Sequence, residues 1–101
     1  MTQFDVIRRN RTRGLILKVL APRHPHGLDM VMIRHELAIL GQPVDDTAIE
    51  SYLAYLEEAN CVIVERRKPY DIAIARITNR GLNILDDIAE DTDPGINTEG
   101  L

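Results

Sequence analysis

The stretch Thr47-Ala48-Ile49-Glu50-Ser51-Tyr52-Leu53-Ala54-Tyr55-Leu56-Glu57-Glu58-Ala59-Asn60-Cys61-Val62 changes its periodicity near its end. Up to Ala59, apolar residues recur at Ile49, Leu53 and Leu56 with Tyr52 beside them, the spacing of one helix face. From Cys61 the chain turns β-branched, through Val62, Ile63 and Val64, as in a short strand. Asn60 stands at the junction, where a helix ends on a residue that tolerates left-handed geometry. The reading is a helix from Asp46 or Thr47 to Ala59, with Thr47-Ala48-Ile49-Glu50 as a capping box, followed by a strand over 61–65.

Working outward, Asp71-Ile72-Ala73-Ile74-Ala75-Arg76-Ile77 is the natural partner strand, and Arg66-Arg67-Lys68-Pro69-Tyr70 is the charged tip of the hairpin. Thr78 then caps a helix over 79–90, with Leu82, Leu85 and Ile88 or Ala89 on one side. Upstream, Asp29 caps a helix from Met30 to Leu40 that Gly41 terminates. Its buried stripe is Met30, Ile33, Leu37 and Leu40. A first helix over 5–20, with Asp5 as cap and Pro22 as stop, is basic in its first half and apolar in its second. Gly14 within it marks a kink or a close packing contact. The loop Pro22-Arg23-His24-Pro25-His26-Gly27 follows.

At 101 residues the chain suits one domain, placed at 1–90, with 91–101 an acidic and frayed tail. Hydrophobic residues at 45% and charged residues at 28% exclude an intrinsically disordered chain. No apolar run approaches the roughly 20 residues needed to span a bilayer, and Met1–Asn10 lacks the apolar stretch of a secretory signal. The single cysteine, Cys61, cannot form an internal disulfide, so the expected location is cytoplasmic. The net charge of −4 conceals an asymmetry, because residues 86–101 carry 6 of the 16 acids and none of the 12 cations. Residues 1–85 have a balance of +2, so a polyanionic partner stays open despite the low bulk isoelectric point.

Helix, helix–turn–helix, two-stranded hairpin, C-terminal helix is the winged-helix order. Across residues 5–90 the chain resembles the winged helix–turn–helix regulators of the MarR, ArsR and PadR type. Leu56-Glu57-Glu58-Ala59-Asn60-Cys61-Val62 is similar to their "Leu-Glu-x-x-Gly-Leu-Val" corner, with Asn60 at the usual glycine. Ile77-Thr78-Asn79-Arg80-Gly81-Leu82-Asn83-Ile84-Leu85 is similar to their "Leu-Thr-x-x-Gly-x-x-x-Leu" after the wing. With Asp93-Pro94-Gly95-Ile96, the ending looks like that of small winged-helix proteins of Mu-like prophages. The implied fold is α+β and mainly α, with a three-helix core, a two-stranded wing and a C-terminal helix.

The resemblance implies double-stranded DNA binding by a transcriptional regulator or phage-encoded accessory factor, with the third helix in the major groove and the wing along the backbone. Arg66, Arg67 and Lys68 are then the phosphate contacts of the wing, Thr47 and Ser51 approach the groove, and Arg9, Arg11 and Arg13, beside Arg8, add positive field. About five or six phosphate contacts give a slope near −5 for log K against log[salt]. Against this, no Lys or Arg lies between Asp45 and Cys61, where a groove reader most often uses one on guanine. The third helix instead carries several acids. The alternative is a protein-interaction module without DNA, using that acidic helix or the C-terminal one, the basic runs being solvated surface. Leu82, Leu85 and Ile88 either pair two copies into a homodimer or pack on the first helix of the same chain.

His24, His26 and His35 read as exposed side chains rather than metal ligands, and Cys61 as a buried structural thiol. There is no glycine-rich nucleophile turn, phosphate loop or paired carboxylates in an apolar setting, so no enzyme, cofactor or metal is expected.

Overall fold

In the computed structural model, which describes residues 3–90, every α-helix after the first starts on a polar cap that the sequence supplies. Helix α1 is Gln3–Leu20, followed by a 3-10 turn at Ala21–Arg23 with Pro22 inside it. Strand β1 is Leu28–Asp29, α2 is Met30–Ile39 and α3 is Asp46–Glu58. Strands β2 (Val62–Arg67) and β3 (Ile72–Ile77) precede α4 (Asn79–Glu90). The fold is α+β and mainly helical, with a three-stranded antiparallel sheet in the order β1-β3-β2.

Asp29 caps α2 as read, its carboxylate accepting from the Met32 N–H at 2.9 Å. The cap of α3 is Asp45, which accepts from the Ala48 N–H at 2.8 Å. This corrects the capping box at Thr47, which lies inside the helix instead. An aspartate three residues before an N–H serves as well as a threonine, and the helix begins at Asp46, the earlier of the two starts read from the sequence. α1 begins at Gln3, so Asp5 is an interior residue and not its cap.

α1 is the central helix. Leu15, Ile16 and Leu20 are fully buried, and Ile33 and Leu37 of α2 and Ile49, Leu53 and Leu56 of α3 close around them. Gly14 is buried and the helix runs through it without interruption. Leu40 is 41% exposed rather than part of the α2 stripe, because the helix ends at Ile39 and Leu40 is already its C-cap.

The sheet departs from the reading by one strand. Leu28 pairs with Ala75 and Asp29 with Ile74, adding β1 to the far edge of β3. Two residues are too few to show alternation, but Gly27 carried a signal, since a Cβ there would lie 2.6 Å from the Ala75 carbonyl oxygen. The hairpin register, Val62 opposite Ile77 through Arg67 opposite Ile72, extends β2 two residues beyond its expected end. Cys61 is buried just before the strand.

Behind the hairpin, Thr78 closes the corner between α3, β2 and α4. Its hydroxyl donates to the Asn60 carbonyl at 2.7 Å and accepts from the Gly81 N–H at 3.1 Å. Asn60 has φ 63°, the left-handed turn expected of it. A side chain at Gly81 would put its Cβ 2.5 Å from the Cys61 carbonyl oxygen, so the Thr-x-x-Gly spacing is a packing requirement of this corner.

Candidate nucleic-acid interface

The exposed face of α3 is set by its buried one. With Ile49, Leu53 and Leu56 turned inward, Thr47, Ser51, Ala54 and Glu58 face outward and all are exposed. Glu50 and Tyr55 border this strip, about 140° apart at 100° per residue. Each border residue meets an arginine from another element. Arg66 of β2 lies 3.7 Å from the Glu50 carboxylate. Arg13 of α1 stacks on the Tyr55 ring, its guanidinium carbon 3.6 Å from the centroid. Thr47 and Ser51 therefore sit on a helix face bracketed by a cation on each side.

Several acids around this face have partners, whereas the Glu58 carboxylate on it pairs with no described residue. Asp46 accepts from Arg34 at 2.7 Å, and Arg66 adds a longer approach to Asp71 at 4.0 Å. The Glu57 carboxylate accepts from the Val64 N–H at 3.0 Å, which fastens α3 to β2. Arg80 donates to the Ala59 carbonyl at 3.0 Å, placing a cation at the negative end of α3. None of these ties was legible in the sequence, because each joins residues of different elements. Tyr55 carried the nearest signal, as an aromatic off the apolar stripe.

The basic tip Arg66-Arg67-Lys68 is corrected. Arg66 and Arg67 are strand residues, and only Lys68 lies in the turn. Alternation along β2 sends Arg66 to the face shared with Val64 and α3, and Arg67 to the opposite face with Glu65. The α1 arginines separate likewise. Arg9 lies about 40° from Arg13 around the helix, whereas Arg11 lies about 160° away, on the side turned from Tyr55. Arg13 is half-buried and also donates to Asn10 at 3.2 Å.

Leu82 and Leu85 are half-buried and pack, with Ile84, against this chain's own core. The side chain of Ile88 and the tail 91–101 lie outside the described residues. His26 and His35 are exposed, and His24 places Nδ1 3.4 Å from the Ile77 carbonyl oxygen. Among the described residues no group of three His, Cys, Asp or Glu is placed to hold a metal ion, and no helix is long and apolar enough to cross a membrane. Neither a protein-family model nor a curated protein matches the chain.

Proposed function

We propose that this is a winged-helix protein that binds duplex DNA, with α2–α3 as the helix–turn–helix, α3 in the major groove and the β2–β3 hairpin along the backbone. The observation that carries the reading is the exposed strip Thr47–Ser51–Ala54–Glu58, of small residues apart from Glu58, held between Arg66 and Arg13. Such a strip admits close approach to base edges, while cations on both flanks suit the two phosphate backbones that line a groove. Arg66, Lys68, Arg9 and Arg13 are then the phosphate-side residues, with Arg67 and Arg11 directed elsewhere. About four contacts predict a slope of about −3 to −4 for log K against log[salt], shallower than the composition suggested. The role is that of a transcriptional regulator or phage-encoded accessory factor. A homodimer through the part-exposed flank of Leu82 and Leu85 belongs to the same proposal. It predicts half-sites about one helical turn apart and a sedimentation coefficient that falls on dilution.

Fluorescence anisotropy with labelled duplex at two salt concentrations tests the reading. Binding that weakens with salt and with Arg66→Ala or Lys68→Ala is expected; no binding at low salt overturns it.

A second reading has one observation in its favour. Phe4 is 82% and Ile7 56% exposed at the start of α1, an apolar end that a protein partner would cover. If that is the principal surface, Phe4→Ser abolishes partner capture and duplex binding is absent.

A further inference from the structure

The outer face of the sheet carries a charged cavity that the duplex-binding reading leaves unused. β2 sends Glu65 and Arg67 to this face, and β3 sends Ile74 and Arg76. The pairing of Leu28 with Ala75 brings His26 and Gly27 alongside, and together they enclose about 370 Å3. That volume falls within the range of small-molecule sites, about 300–1,000 Å3.

The donors in this cavity outnumber the acceptors. Glu65 is its one carboxylate, and it lies 3.2 Å from Arg76. The Arg76 Nε is buried with no acceptor. The Arg67 side chain makes no hydrogen bond or ion pair with any described residue. Two guanidinium groups against one carboxylate leave a local excess of positive charge and of N–H donors in a concave wall.

We propose that this cavity binds the phosphate group of a small phosphate monoester. Such a group brings about −1.5 to −2 charges and three acceptor oxygens, matching the fork geometry of two guanidiniums better than a single carboxylate does. Arg67 supplies the primary contact, Arg76 the second, and Glu65 competes for Arg76. The site lies on the face of the sheet turned away from α3, so the inference does not rest on duplex binding.

The test is a titration of the isotopically labelled full chain with glycerol 2-phosphate, followed by amide resonances, with glycerol as the uncharged control. Saturable 1:1 shifts centred on the amides of Gly27 and Ile74 are expected, with none from glycerol. Arg67→Ala weakens binding about tenfold or more, and Glu65→Gln tightens it several-fold. Arg66→Ala removes the same charge one residue away but on the other face, and leaves affinity within about twofold. No saturable shifts, or an Arg66→Ala loss equal to that of Arg67→Ala, overturns the proposal. Adding duplex DNA distinguishes the source of the phosphate. Retention of glycerol 2-phosphate supports a small-molecule site, whereas duplex that displaces it and reproduces its shifts assigns the cavity to a nucleic-acid backbone and overturns the proposal. A chain that binds glycerol 2-phosphate but no duplex refutes the DNA reading alone.

Discussion

Arg13 lies over the ring of Tyr55 at 3.6 Å, a contact that joins the basic half of α1 to the outward edge of α3. Half-exposed pairs of this kind contribute about 0.5–1 kcal/mol. Tyr55→Leu is expected to lower stability by about that much, and Tyr55→Phe by less, since the ring face is retained. A double-mutant cycle with Arg13→Ala in urea denaturation measures the pair. A coupling energy indistinguishable from zero refutes the contact.

Gly81→Ala sets two effects against each other. Helix propensity alone favours the alanine by up to about 1 kcal/mol. The new Cβ, however, would stand 2.5 Å from the Cys61 carbonyl oxygen, backbone that cannot yield without moving the corner. Packing should win, with a net loss of about 2 kcal/mol or more. Equal or greater stability of the variant by denaturant midpoint contradicts the corner geometry.

The identity of the α3 cap is decided by two substitutions. Asp45→Ala removes the acceptor of the Ala48 N–H and is expected to cost about 1 kcal/mol. Thr47→Ala, at an exposed helical position, should change thermal stability by less than about 0.5 kcal/mol. The reverse order restores the capping box read from Thr47 and Glu50.

Glu50 holds Arg66 at 3.7 Å on the flank of α3. On the duplex-binding reading, Glu50→Gln frees that guanidinium and removes a repelling charge, so affinity for duplex rises several-fold at low salt. Arg66→Ala lowers affinity and reduces the salt slope by about 1. Weaker binding by Glu50→Gln in the anisotropy titration assigns this glutamate to base contact instead, as an acceptor from cytosine.

The elements were legible wherever a local period or a local cap governed them. Ile49, Leu53 and Leu56 turned inward as their spacing required, and Asp29, Asn60 and Thr78 end or begin helices where they were placed. β1 was hidden because its two residues are held by pairing with β3 rather than by any pattern of their own. The candidate site was legible in part. Thr47 and Ser51 are on an exposed helix face, but the run Arg66-Arg67-Lys68 concealed a strand whose alternation divides it.

The residue order by itself determined the succession of helices and strands and the inward stripes, because these depend on interactions within about four residues along the chain. Only the tertiary structure decided where the charges go. Arg66 faces Glu50, Arg13 faces Tyr55, and Arg67 and Arg76 line one cavity on the other face of the sheet. Those neighbours come from separate elements, and electrostatic action through a few ångströms of space depends on distance in three dimensions, which the order of residues does not contain.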